Sequence, residues 1–190
     1  MNKSLLTLAA VAVASVATPA MAGSLTAEVR LADVRNGNQP NSTEYKVEAW
    51  DSLYGVKVGA ELQAKQGENA GPIKATLSAK AGLEGPTVMG ASSLAYVELG
   101  ERLSQASAGG NHEFWGIGLK LNRNLLGPVA ISAGYRHREG FAGAANMNEE
   151  RWNGGLSLAV NDKTAVGATY YNTRGTTNSD AVGLSVTRKF

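Results

Sequence analysis

The sequence predicts an all-β fold, a single antiparallel up-and-down transmembrane β-barrel. Apolar and polar residues alternate with a period of two in run after run, which is the pattern of strands with one apolar face. Turn-forming residues separate the runs, and the connections tend to alternate between long and short. An antiparallel meander places alternate connections at opposite ends, as transmembrane barrels do with their long loops and short turns.

The first 22 residues are expected to be a secretory signal peptide that is removed. Lys3 supplies a positive charge, an apolar run follows from Leu5 to Val16, and Pro19 precedes a small-residue cleavage site ending at Ala22. A helix that spans a bilayer needs about 20 apolar residues, and this run is too short. We therefore expect an exported chain with a signal peptide over 1–22 and an outer-membrane β-barrel domain over 23–190.

Composition narrows the class of protein. The chain has no cysteine and a formal net charge of only +2, so neither a disulfide framework nor a nucleic-acid partner is indicated. It has 23 glycines and lacks the leucine-rich amphipathic runs of helical bundles. The sequence contains no cysteine and histidine spacing for a metal site and no phosphate-binding loop, so no cofactor is predicted.

Ten segments have the strand pattern, although eight strands are also compatible with the sequence. The short connections are the second, fourth and eighth, and the longer, more polar ones are mostly those in odd positions. The predicted strands are 25–34, 43–51, 56–65, 73–81, 87–98, 112–121, 128–138, 151–160, 164–172 and 180–190. The fifth is the least regular, because its two faces are similar in polarity.

Each of the first four strands has one apolar and one charged face. In the first, Ala27, Val29 and Leu31 oppose Glu28 and Arg30. Alternation alone fits a charged face in water or in a hydrated lumen. With the apolar face toward lipid, the predicted lumen side chains are Glu28, Arg30, Glu44, Lys46, Glu48, Lys57, Glu61, Lys74, Lys120 and Arg136.

These lumen charges have two interpretations. The interior of a barrel of about eight strands is just filled by side chains, so a barrel of ten strands should leave little more than a narrow passage. The charges could pair with one another in a closed barrel, or they could line a narrow pore whose net basic wall favours anions. Small-solute passage is therefore possible, and the oligomeric state is not indicated.

Aromatic residues favour a membrane setting over a soluble one. On the apolar faces they fall near strand ends that border the long loops, while Tyr54 and Phe190 fall at the short-turn end. Tyrosine and tryptophan form such girdles where lipid meets water. The predicted interfacial aromatics are Tyr45, Trp115, Tyr135, Trp152 and Tyr170.

The last strand carries a family resemblance. Val182, Leu184, Val186 and Phe190 share one face of DAVGLSVTRKF, which resembles the C-terminal strand of small, porin-like outer-membrane β-barrel proteins of diderm (Gram-negative) bacteria. The resemblance implies residence in the outer membrane among its lipid and lipopolysaccharide, periplasmic termini, and recognition of this strand as an assembly signal by the barrel-assembly machinery. Arg188 departs from the pattern, since the family usually has an aromatic or apolar residue there.

The expected function is a structural or narrow porin-like outer-membrane barrel. One alternative is a soluble periplasmic β-barrel that binds an apolar ligand. A third is an outer-membrane lipid-modifying enzyme, for which either histidine would need partners near the rim. The residues considered are His112, His137, Ser104, Ser107, Glu113 and Glu139. No enzyme motif matches around them, so a non-enzyme is predicted.

Overall fold

The chain folds into a closed barrel of ten antiparallel strands in the computed structural model, which describes residues 23–34, 41–67, 73–104, 112–141, 148–176 and 178–190. Each strand pairs with its neighbours in sequence, and β1 pairs with β10 to close the sheet. The strands are β1 (Ser24–Val34), β2 (Ser42–Leu53), β3 (Val56–Gly67), β4 (Lys74–Glu84), β5 (Ala91–Ser104), β6 (His112–Asn124), β7 (Val129–Gly140), β8 (Glu149–Asn161), β9 (Thr164–Gly175) and β10 (Ser179–Lys189). The predicted all-β up-and-down barrel is confirmed, with ten strands and not eight.

Two tight turns show why one end of the barrel is compact. Tyr54 and Gly55 alone join β2 to β3, with φ of 51° and 84°. Met89 and Gly90 turn the chain before β5 with φ of 52° and 76°. Positive φ at both central residues is the type I′ conformation, whose twist matches that of antiparallel strands. We call this end the short-turn end and the opposite one the long-loop end.

The fifth strand was placed wrongly by sequence. The sequence predicts the fourth strand at 73–81 and the fifth at 87–98, but β4 continues to Glu84 and β5 begins at Ala91. The reason is the turn at Met89 and Gly90, where Val88 and Ala91 exchange backbone hydrogen bonds of 3.0 and 2.9 Å. The sequence also placed Glu149 in a loop, whereas it begins β8.

The seam between the first and last strands joins both ends of the barrel domain. The pairing of β1 with β10 runs without interruption from Ser24 opposite Lys189 to Val34 opposite Ser179. Beyond it, the Phe190 N–H donates to the Gly23 carbonyl at 3.0 Å. Residues 23 and 190 therefore lie together at the short-turn end.

The inner face of the sheet is polar and the outer face is apolar, as a barrel embedded in lipid requires. Glu28 and Arg30 are 4% and 2% exposed, while the intervening Val29 and the next apolar residue, Leu31, are 44% and 67% exposed. Polar side chains thus point into the barrel and aliphatic ones point out. Over the described ranges, no helix has the length and apolar character needed to cross a membrane.

Candidate functional site: the barrel interior

Glycines on the inner face make room for large interior side chains. A Cβ on Gly118 would overlap the ring of Tyr96, one on Gly100 would overlap Phe114, and one on Gly59 would come within 2.8 Å of the Trp50 ring. Phe114 is completely buried, and Trp50 stacks edge-on against Tyr96 with centroids 5.6 Å apart. The interior is therefore filled by aromatic as well as charged groups.

Two carboxylates organise the central charges. Glu48 accepts hydrogen bonds from Lys80 and Lys120, both at 2.7 Å. Glu61 accepts from Lys80 at 2.7 Å, from Arg138 at 3.0 Å and from Arg136 at 3.3 Å. Lys80 joins the two carboxylates into one cluster.

The cluster extends toward the long-loop end. Arg138 also binds Glu98, whose second partner is the Ser78 hydroxyl. Arg136 donates to Glu149 at 2.6 Å, and Arg151 lies 3.3 Å from the same Glu149 oxygen.

A second branch runs through β1 and β2. Glu28 lies 2.9 Å from both Arg30 and Lys46, and its other oxygen accepts the Tyr171 hydroxyl. Glu44 lies 3.6 Å from Arg30 and accepts a hydrogen bond from Gln63 at 2.8 Å. Lys46 lies 3.5 Å from Glu48 and so joins this branch to the central cluster.

Several of these pairs cross the lumen. Lys120 on β6 reaches Glu48 on β2, and Arg136 and Arg138 on β7 reach Glu61 on β3. In each case the strands lie four apart in the closed ring of ten, so the partners project from nearly opposite walls. These side chains span the interior at this level.

A cavity of about 170 Å³ lies among the ion pairs. Its lining from β7–β10 includes the short polar residues Ser132, Asn153, Thr169 and Ser185 beside the long side chains of Arg136 and Arg151. The other four cations of the lining come from β1–β6.

The structure brings most of the predicted lumen residues together. Eight are half-buried or buried on the inner face: Glu28, Arg30, Glu44, Lys46, Glu48, Glu61, Lys120 and Arg136. The other two lie at the rims. Lys57 pairs with exposed Glu84 at 3.2 Å near the short turns, and Lys74 is exposed at the opposite end.

The predicted interfacial aromatics lie on the outer face. Trp152 is 57% and Tyr170 49% exposed, while Tyr45, Trp115 and Tyr135 are half-buried. The Tyr135 and Trp152 rings pack with centroids 4.5 Å apart on neighbouring strands. Contact with a membrane interface stays a prediction for these residues.

The predicted assembly residues share the outer face of β10. Val182, Leu184, Val186 and Phe190 are each 51–67% exposed. The pattern is what an exposed recognition strand needs, and recognition itself stays a prediction.

The histidine candidates do not assemble a catalytic group in the part of the chain that is described. His137 points outward between the inward-facing Arg136 and Arg138, 3.9 Å from Glu150 and 4.0 Å from Glu139. It packs edge-on against Trp115 and not against a hydroxyl nucleophile. Ser107 and the side chain of Ser104 lie outside the described residues.

Sequence reasoning missed several interior residues. Glu98 was missed because the two faces of the fifth predicted strand are similar in polarity, and Glu149 because it was assigned to a loop. The interior aromatics Trp50, Tyr96, Phe114 and Tyr171 were also missed. Trp50 could have been found, because it continues the polar register of Glu44, Lys46 and Glu48.

Several solved structures resemble this barrel in fold. The KdgM porin, solved with a disordered oligogalacturonate, matches with a TM-score of 0.52 at 10% identity, over 88% of this chain and 99% of that one. The β domain of the Bordetella autotransporter BrkA matches with a TM-score of 0.51 at 13% identity, over 90% and 100%. The translocator domain of NalP from Neisseria meningitidis matches with a TM-score of 0.50 at 10% identity, over 98% and 95%.

The chain shares its fold with outer-membrane porins and autotransporter barrels. At these identities the likeness is one of architecture. No protein-family model matches the sequence, and no curated protein does.

Proposed function

We propose that this chain is an outer-membrane β-barrel protein whose lumen is closed by its ion-pair network. Its role is then structural, with no open channel for solutes. The observation that carries the proposal is the crossing of the lumen by Lys120, Arg136 and Arg138 to carboxylates on the far wall. The apolar outer face supports lipid as the surroundings, with lipopolysaccharide at the outer rim. The polar interior is the opposite of what a barrel for an apolar ligand needs.

The orientation follows from the two ends. In transmembrane barrels the short turns face the periplasm and the long loops face outward. The short-turn end also holds residues 23 and 190, so both termini of the processed chain would be periplasmic after removal of residues 1–22.

Cell fractionation tests the location. The protein should appear in the outer-membrane fraction and migrate faster on a detergent gel before heating than after it. Recovery as a soluble periplasmic protein would contradict the proposal.

Planar-bilayer recording tests the closed state. Purified, heat-modifiable protein should give no ion steps, or far smaller ones than an open porin measured beside it. Large steady conductance would show that the cross-lumen pairs do not close the barrel.

A second candidate is a narrow porin-like passage for anions. It is favoured by the cavity, whose lining carries six cationic side chains against three carboxylates. The shared fold with the KdgM porin supports solute passage as a use of this architecture. Steps with an anion-favouring reversal potential, weakening as the Debye length falls from about 10 Å at 0.1 M salt to about 3 Å at 1 M, would establish it.

The last strand is proposed as the signal for the barrel-assembly machinery. Its outer face is exposed, and it completes the seam with β1. Deleting Phe190 should leave unassembled protein in the periplasm, and normal amounts of heat-modifiable barrel after the deletion would refute this role.

A further inference from the structure

We propose that the lumen cavity binds one small oxyanion, of the phosphate or carboxylate class, beside Arg30, Arg136 and Arg151. The proposal concerns binding inside the closed barrel, so it holds whether or not solutes cross the membrane.

The charge around the cavity favours an anion. The six cations of its lining are Arg30, Lys46, Lys80, Lys120, Arg136 and Arg151. The three carboxylates, Glu28, Glu48 and Glu61, are each already bound by at least two cations. Two carboxylates outside the lining also pair with these cations, since Glu149 contacts Arg136 and Arg151 and Glu44 lies 3.6 Å from Arg30. The six cations therefore meet five carboxylates, and the remaining positive charge attracts a counter-ion.

Unpartnered donors point to the same ligand independently. Nε and Nη1 of Arg30, Nε of Arg136 and Nη1 of Arg151 are buried and have no hydrogen-bond partner. Their residues are only 2%, 6% and 6% exposed. Buried N–H groups without acceptors are unfavourable, and an oxyanion supplies several acceptor oxygens at once.

Shared contacts with Tyr171 and Glu149 link the three guanidinium groups. The Tyr171 ring lies 4.0 Å from the guanidinium carbon of Arg30 and 5.8 Å from that of Arg151. Arg151 and Arg136 share one oxygen of Glu149 at 3.3 and 2.6 Å. All three line the cavity, whose volume of about 170 Å³ has room for a small ion with some of its water.

The chemistry of arginine selects an oxyanion over other anions. A guanidinium presents N–H groups in a planar fork that matches the oxygens of a phosphate or a carboxylate. Both oxygens of Glu28 are already bound to Arg30, Lys46 and Tyr171, and Glu44 Oε2, which lies 3.6 Å from Arg30, already accepts from Gln63.

Calorimetric titration of the purified barrel in a zwitterionic detergent at low chloride tests the site. Inorganic phosphate should bind saturably at one ion per chain, and acetate in a parallel titration shows whether the carboxylate or the phosphate geometry fits better. Arg30→Gln and Arg151→Gln should each weaken phosphate binding at least about tenfold, because each removes charged donors. Arg174→Gln removes the same charge from an exposed outer position and should leave binding unchanged.

Folding is checked for every variant by heat-modified migration on a gel. If a lumen variant does not fold, wild-type protein supplies the second measurement: phosphate should raise its resistance to urea more than chloride at equal ionic strength. The proposal would be overturned if phosphate neither bound saturably nor protected the wild type against urea. An equal loss of binding in Arg174→Gln and Arg151→Gln would also overturn it.

Discussion

At the scale of single residues, the interior depends on carboxylates that serve several cations. Glu61 is 3% exposed and is contacted by Lys80, Arg136 and Arg138. Glu84, by contrast, has one partner, Lys57, and its side chain is 61% exposed. Removing one member of a buried pair leaves uncompensated charge, whereas an exposed pair contributes little.

Glu61→Gln should therefore lower the free energy of unfolding by about 3–5 kcal/mol. Glu84→Gln is the matched control and should change it by less than about 1 kcal/mol. Urea unfolding in phospholipid vesicles measures both. Equal, small effects would show that the interior charges are well hydrated and only loosely paired.

Single glycines on the inner face leave the space that large interior side chains occupy. Gly118 faces the Tyr96 ring, which packs against Trp50, so a methyl group at 118 would displace both rings. Gly118→Ala should destabilise the barrel by about 1–3 kcal/mol through overpacking.

Gly154→Ala provides the control for this substitution. It lies in β8, and an added Cβ would have no neighbour within 4 Å, so the change should stay within about 0.5 kcal/mol. A Gly118 variant as stable as the Gly154 variant would mean that Tyr96 can move at little cost.

At the scale of elements, outward-facing and lumen-facing residues alternate along the strands. Leu77 in β4 is 54% exposed, while its neighbours Thr76 and Ser78 are 6% and 3% exposed. Leu77 is opposite Leu62 on β3, so the apolar band continues across the strands. A charge placed in this band would meet hydrocarbon.

Leu77→Arg should lower stability by about 2–4 kcal/mol and reduce the assembled protein in the membrane. Leu126→Arg, in the turn between β6 and β7, is 94% exposed beyond the strands and should cost no more than about 1 kcal/mol. Refolding yield in lipid vesicles compares them. Full tolerance of Leu77→Arg would argue that this face meets water.

At the scale of the whole molecule, closure of the sheet and closure of the lumen are separate properties. The β1–β10 seam closes the sheet with backbone hydrogen bonds and leaves no free edge in the described strands. Inside the barrel, the side chains of Arg136 and Arg138 reach Glu61 on the opposite wall, and the proposed closure of the lumen depends on them. Interior changes should therefore alter permeability without abolishing the barrel.

The paired substitution Arg136→Ser with Arg138→Ser should produce ion steps in planar bilayers where the wild type gives none or far smaller ones, because it removes two of the side chains that cross the lumen. Exposed Arg123→Ser with Arg174→Ser is the matched control and should conduct like the wild type. A double lumen variant that is folded, by heat-modified migration, and still silent would place the barrier elsewhere.

The sequence by itself determined the class of fold and the alternation of apolar and polar faces, because a period of two is a local property of the chain. It favoured ten strands over eight, and the structure decided for ten. The alternation predicts Glu28, Glu48 and Glu61 as lumen residues, and all three side chains are buried. The start of β5 at Ala91 was not predicted, because left-handed residues at a turn shift a boundary without changing composition.

Only the tertiary structure decided which charges meet. The pairing of Glu61 with Arg136 joins residues from opposite walls that are 75 positions apart in the chain. Such contacts depend on the register accumulated around all ten strands and on the glycines that admit large side chains. Alternation assigns a side chain to the lumen, but only closure of the sheet assigns its partner, because the partner comes from across the barrel.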